Sequence, residues 1–373
     1  MALSPAQWKR RQNITIACGV CACVVAYTGV FVWAFISRAS PFAREIASLV
    51  AAEDWPAIID RTTLALDAGD ERREECLYFR GFGHVQMGDF RAALSDMASA
   101  GSYGPWPGWP NARAYREMLA DATAPLPEHP EPIYGSDGRL LYYLHYDQLA
   151  PWTEAMGEHQ RLSFEFLERL FGVRMGPVHV YLFNNWGPFE RAFTALGGTQ
   201  PRSWQAGTAT SGCVLLCRTF SDGTPSTSQH PAEMAGLTCH EWTHLLLRQQ
   251  VGPLDKWLDE GLAYWAGDQA VLRWAGRRPI NWLGSRALDL GVLNDPFTYY
   301  DPAIATDAYA QASGMTEALI GRMGPQGVPQ FVKLLKQHGD VDAALTFGWG
   351  IDSEDLLEEW KASRTSIQGG QGR

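Results

Sequence analysis

The pattern of apolar and polar positions divides the chain into three stretches. Near the start, Ile14 to Ile36 carries no charge. As a helix it would extend roughly 35 Å, enough to cross a hydrocarbon core, so the pattern predicts a transmembrane anchor within residues 1–40. From residue 41 to about residue 122, apolar residues return at helical spacing in segments 41–52, 55–68, 73–87 and 90–100, with breaks at Ala68-Gly69-Asp70 and Gly88-Asp89. Gly101 to Pro110 is rich in turn formers, Asn111 to Ala122 reads as a further helix, and proline-rich Ala124 to Pro132 predicts a linker over 124–137. The pattern then changes. Leu140 to Tyr146 and Val178 to Phe183 read as strands, Thr153 to Phe171 as a helix closed by Gly172, and Ala206 to Cys217 as one or two strands around Ser211-Gly212. Helical stretches follow, among them Phe331-Val332-Lys333-Leu334-Leu335. Strands first and helices afterwards predict an α+β domain over 138–365, with 366–373 as a tail.

Charge narrows the reading. The formal net charge of −10 argues against nucleic acid, which requires clustered Lys and Arg. Lys9, Arg10 and Arg11 precede the apolar run, which predicts a cytoplasmic N-terminus and an extracytoplasmic remainder. A cleaved signal ending near Ser37 and Ala39, or a lipoprotein site at Cys23, are the alternatives for that segment. Of the seven cysteines, Cys18, Cys21 and Cys23 lie in the apolar run, and Cys76, Cys213, Cys217 and Cys239 show no metal-binding spacing. On one extended strand, Cys213 and Cys217 would stand too far apart to bridge.

In the helical stretch, Asp54-Trp55 and Asp89-Phe90 recur at a period near 34 residues. Gly81, Gly88-Asp89-Phe90, Ala93, Ala100 and Pro105 fall at the spacing of a tetratricopeptide repeat, which residues 41–123 resemble. The preceding repeat is degenerate, with Trp55, Ile58 and Ala65 in the matching places. Barely two repeats are too few to be stable alone, so the module is expected to pack on its neighbour and to offer a surface to a protein partner.

The chemistry concentrates in His240-Glu241-Trp242-Thr243-His244. Pro231 suits the first turn of a helix and Val251-Gly252-Pro253 its end, so the motif lies mid-helix. Residues four apart share a face, which lets both imidazoles reach one metal, while Glu241, one step around, can contact a metal-bound water without binding the metal. After the break comes Trp257-Leu258-Asp259-Glu260-Gly261-Leu262-Ala263-Tyr264-Trp265, a second helix with Glu260 in an apolar frame. A carboxylate there needs a partner. Two His, one Glu and a water complete a four-coordinate catalytic zinc site. Glu233 and Asp259 are candidates for orienting a ligand His. His145 and His179 lie on predicted strands and read as structural.

HExxH followed by WLxEGxA resembles the gluzincin zinc metallopeptidases, and most closely their small peptidase MA-like domains. The likeness in layout spans roughly residues 138–362. It implies a zincin-type fold, one zinc per chain held by His240, His244 and Glu260, and Glu241 as the general base for hydrolysis of a peptide or protein substrate. It also implies a hydroxyl donor beyond the third ligand. Tyr309, in Ala308-Tyr309-Ala310-Gln311, is favoured because similar YxQ segments occur there in the family; Tyr264, Tyr299 and Tyr300 are the other candidates. This chain departs from aminopeptidase-N-like enzymes in its shorter interval from His244 to Glu260 and in lacking a GxMEN segment, in whose place stands Gly207-Thr208-Ala209-Thr210-Ser211-Gly212. Endopeptidase action is therefore expected over exopeptidase action. The rival function is a membrane-tethered adaptor, in which the helical module holds a partner and an inactive zinc domain is structural.

Overall fold

The computed structural model describes residues 41–370 apart from positions 53, 106–109, 125, 128, 147–152, 198–199, 204, 211, 227–230, 276–285, 296–297, 300 and 302–303. The apolar run 14–36 lies outside the described residues. Among the described residues no helix is long and apolar enough to cross a membrane. The longest, Pro231–Gln250 and Lys256–Ala275, carry Glu233, Glu241 and Arg248, and Asp259, Glu260 and Asp268, charges that hydrocarbon does not accommodate cheaply. The expected N-terminal transmembrane helix, and the placement of a cytoplasmic N-terminus with an extracytoplasmic catalytic domain, are therefore corrected.

The helical stretch forms α1 (Pro41–Ala51), α2 (Trp55–Asp67), α3 (Arg73–Gln86), α4 (Phe90–Ser99) and α5 (Ala112–Thr123). Asp54 and Asp89 cap α2 and α4 alike, each accepting a hydrogen bond from the backbone N–H three residues on. Such a cap satisfies one of the helix's unpaired donors, and its recurrence is the structural counterpart of the sequence period. The core of this layer gathers Phe42, Ile46, Ile58, Tyr78, Phe79 and Met97.

A five-stranded mixed sheet follows, built from β1 (His129–Tyr134), β2 (Leu140–Tyr146), β3 (Val178–Phe183), β4 (Gly207–Thr210) and β5 (Cys213–Cys217), in the order β1-β2-β3-β5-β4. The central pairs β2–β3 and β3–β5 are parallel, and both edge pairs are antiparallel. Crossovers run through α6 (Thr153–Phe171) and α7 (Trp186–Gly197). Residues 124–137, expected as a linker, contain the edge strand β1, paired with β2 from His129↔Tyr146 to Tyr134↔Leu140. Pro130 and Pro132 suit that position, since a proline has no N–H to donate and an edge strand can dispense with it.

Alternation along β3 and β5 assigns the two faces. Val178, Val180, Leu182, Val214 and Leu216 face the main core. Tyr181, Phe183, Cys213, Leu215 and Cys217 face a second core shared with Val85, Phe90, Ala93 and Leu119 of the helical module. Both strands are thus covered on both sides, which is why they read as unbroken apolar runs. Tyr181 donates to the Gly88 carbonyl at 2.9 Å across this junction. Cys76, Cys213, Cys217 and Cys239 are free and buried.

Beyond the sheet come α8 (Pro231–Gln250), α9 (Lys256–Ala275), the single turn α10 (Leu290–Leu293), α11 (Ala305–Met323), α12 (Val328–His338), α13 (Val341–Trp349) and α14 (Ser353–Gly370). The last helix runs into the expected tail 366–373, because nothing breaks it before Gly369-Gly370; residues 371–373 lie outside the described residues.

The junction between module and sheet buries histidines. His145 Nε2 and His179 Nδ1 lie 2.9 Å apart, and the His145 ring stacks on Tyr181. Asp89 and His84 of the module face His179, and Arg91 faces His145. Burial, reinforced by His179 and Arg91, lowers the His145 pKa from 6.5 to about 3. Burial lowers that of His179 to about 4, against the pull of Asp89. Both rings stay neutral in the folded chain while the unfolded chain takes up protons below about 6.5. The stability they contribute is therefore present above pH 6.5 and lost as the pH falls from there through about 4. A loss on the order of a few kcal/mol is expected between pH 7 and pH 4, measured by denaturant unfolding. Replacing both histidines with Gln should flatten that slope relative to the parent chain; an unchanged slope would place the proton uptake elsewhere.

Candidate metal centre

The site is built by α8 and α9, a helical hairpin on the main core. Trp242, on the side of α8 away from His240 and His244, is fully buried against Tyr142 and Phe164, with ring centroids 5.1 and 4.9 Å away. This fixes the rotation of α8 so that the two histidines face α9. Trp257, Leu258 and Leu262 of α9 are buried in the main core. The helices meet glycine against glycine: a Cβ on Gly267 would lie 2.8 Å from the Gly236 carbonyl oxygen, and a Cβ on Gly236 would lie 2.4 Å from Val271. Without side chains at those two positions, the helices approach closely enough for their polar groups to meet.

His240 Nε2 and His244 Nε2 are 3.1 Å apart. Glu260 Oε2 is 3.6 Å from each. His244 Nδ1 lies 2.8 Å from Asp259 Oδ1. The Nδ1 proton is shared with that carboxylate, so Nε2 is the ring nitrogen turned toward His240 and Glu260. The other carboxylate oxygens are taken by Lys256, whose Nζ lies 2.6 Å from Glu260 Oε1 and 3.2 Å from Asp259 Oδ2. Glu241 points to the opposite wall, where the Ala209 backbone N–H of β4 donates to its carboxylate. That edge strand passes so near that a Cβ on Gly207 would lie 2.9 Å from Glu241 Oε1.

Burial governs the electrostatics. It lowers the His240 pKa to about 3, helped by the charge of His244. For His244 burial acts downward, but the Asp259 and Glu260 carboxylates outweigh it and raise the value well above the usual range. Burial likewise opposes ionisation of Glu260, yet Lys256 and His244 hold it well below the ordinary carboxylate range. Lys256 is held above the ordinary lysine value by Glu260 and Asp259, against its burial. Burial pushes Glu241 up to about 7, against the opposing charge of His244.

Two groups of side chains have ligand atoms close enough to hold one metal ion, His240 with Glu241 and His244, and His244 with Asp259 and Glu260. All four residues singled out by the sequence, His240, Glu241, His244 and Glu260, thus converge. A cleft of about 1010 Å³ runs past them, at the upper end of the range for small-molecule pockets. Tyr309 and Tyr264 line it. Tyr264 stands edge-on to the His240 ring at 4.6 Å, and Tyr309 packs on Tyr264 at 4.7 Å. Tyr299 is fully buried behind Tyr309, which removes it from the cleft, and Tyr300 lies outside the described residues. Two features escaped the sequence reading. Lys256 was legible as the i, i+3, i+4 spacing that pairs a lysine with Asp259 and Glu260 on a helix. The contact of β4 with Glu241 left no sequence signal.

No protein-family model, no curated protein and no solved structure matches this chain.

Proposed function

We propose that this chain is a zinc metallopeptidase of gluzincin type, in which His240, His244 and Glu260 hold the zinc and Glu241 is the general base. The observation that carries the reading is the triangle of two imidazole nitrogens and one carboxylate oxygen, with sides of 3.1, 3.6 and 3.6 Å. Donors around a tetrahedral zinc stand about 3.3 to 3.4 Å apart, so this set fits that ion. The motif residues HEWTH and WLDEGLAYW support the same reading.

When bound, zinc supplies Lewis acidity, which makes water nucleophilic near neutral pH and polarises a peptide carbonyl. The remaining work belongs to side chains. Glu241, on the cleft side of the triangle, accepts the proton of the attacking water and passes it to the leaving amine. The Ala209 N–H holds that carboxylate in place. Asp259 keeps the His244 proton on Nδ1, so that Nε2 remains a donor. The edge strand β4 borders the cleft and, among the described residues, pairs with no strand on its outer side; an extended substrate peptide can add to it as a further strand. That geometry favours internal cleavage of a peptide or protein chain. The helical module is proposed as the site where a partner or substrate protein is recruited.

Two measurements test the reading: zinc per chain in the purified protein, and cleavage of a denatured protein substrate before and after chelation and after zinc is restored. One zinc per chain and cleavage that follows the metal support it. Zinc without cleavage of any substrate favours the adaptor reading instead. Tyr309→Phe is expected to lower turnover roughly a hundredfold with little change in zinc content, since a hydroxyl donor acts mainly on the developing oxyanion. Unchanged turnover would transfer that role to Tyr264.

A further inference from the structure

We propose that Lys256 is a positioning residue, which leaves Glu260 a single oxygen for the metal and, through Asp259, sets the ring of His244 at the same time. The proposal rests on the metal reading above and concerns how the site is held.

Lys256, Asp259 and Glu260 stand at i, i+3 and i+4 on the first turns of α9, hence on one face. The ammonium lies 2.6 Å from Glu260 Oε1 and 3.2 Å from Asp259 Oδ2. Each carboxylate is divided by this contact. Glu260 keeps Oε2 for the two imidazoles at 3.6 Å, and Asp259 keeps Oδ1 for His244 Nδ1 at 2.8 Å. The lysine nitrogen also stands 5.9 Å from the centre of the buried Tyr299 ring, a favourable place for a cation. One ammonium thus restrains both the third ligand and the residue that orients the second.

Charge alone argues against a lysine here. A cation beside a metal site repels the metal, and its removal would strengthen binding if electrostatics were all that mattered. A carboxylate without such a restraint, however, has two equivalent oxygens. It can turn, or offer both to one cation. Holding one oxygen on Lys256 removes those alternatives, in the way that outer hydrogen bonds to metal ligands fix ligand geometry.

The full chain loaded with cobalt(II) in place of zinc tests this, because the cobalt visible spectrum reports coordination number and metal release to a chelator reports retention. Lys256→Met is expected to weaken and shift the cobalt band, as Glu260 becomes free to bind through both oxygens, and to speed metal release by roughly 10- to 100-fold. Lys256→Arg, whose planar fork can span both carboxylates, is expected to restore both. A wild-type spectrum in Lys256→Met, with release as slow as or slower than in the parent chain, would overturn the proposal. Should Lys256→Met not fold by circular dichroism, Lys256→Gln carries the same comparison without the charge. Failure of the wild-type chain to take up cobalt at all would instead bring down the metal reading itself, and this claim with it.

Discussion

Glu241→Gln is expected to retain the metal of the parent chain and to lose peptide hydrolysis by roughly 10²- to 10⁴-fold. The substitution keeps the shape of the side chain and an oxygen able to accept the Ala209 N–H, so the wall formed by β4 should stay in place. It removes the carboxylate proposed to take the proton of the attacking water. Glu241 is buried, and burial, reinforced by the Glu260 charge, raises its pKa to about 7, in the range where a carboxylate accepts and returns protons near neutral pH. Metal analysis beside an assay on a denatured protein separates the two effects. Loss of zinc in Glu241→Gln would mean that ligand and base have been exchanged in this reading. Retained activity would remove Glu241 from the chemistry.

The second large effect concerns the ligands. His240→Ala, His244→Ala and Glu260→Ala are each expected to lose most of the bound metal, since each removes one of three protein donors. Asp259→Asn, which spares the donors and disturbs only the orientation of His244, should cost affinity by roughly 10- to 100-fold. Glu260 needs an additional control. Its removal leaves the half-buried Lys256 with Asp259 as an ionic partner, which can destabilise the fold. Glu260→Gln, which preserves volume, distinguishes metal loss from unfolding when a thermal melt accompanies the metal analysis. Full metal content in both Glu260 variants would place the third ligand elsewhere, with Asp259, 2.8 Å from His244, the nearest substitute.

The site was legible to different depths. His240 and His244 could be read together because four residues on a helix return to the same face. Glu241 could be separated from them because one residue turns away by nearly a third of a turn. Glu260 was found through the cost of a carboxylate among Leu258, Leu262 and Trp265. Tyr309 rested on resemblance alone; the structure brings it to the cleft and withdraws Tyr299, which side-chain burial decides and sequence spacing cannot.

Local chemistry also set most element boundaries. Leu140–Tyr146, Thr153–Phe171 and Val178–Phe183 form where their apolar patterns predict, because helix and strand periodicities are properties of neighbouring residues. The strand β1 was missed because Pro130 and Pro132 read as a linker, and only its place at the sheet edge makes them acceptable. The predicted membrane span is corrected, since no described helix is apolar enough to serve as one.

What the sequence by itself determined is therefore the set of helices and strands with strong periodic patterns and the residues able to hold a metal. Tertiary structure alone decided the strand order, the seating of the helical module on the sheet, and the His145–His179 pair at their junction. It also decided the glycine contact that brings α8 to α9, and the approach of β4 to Glu241. Each of these joins residues far apart in the chain. Their meeting depends on how whole elements pack, and a local pattern carries no record of which distant surface it will bury.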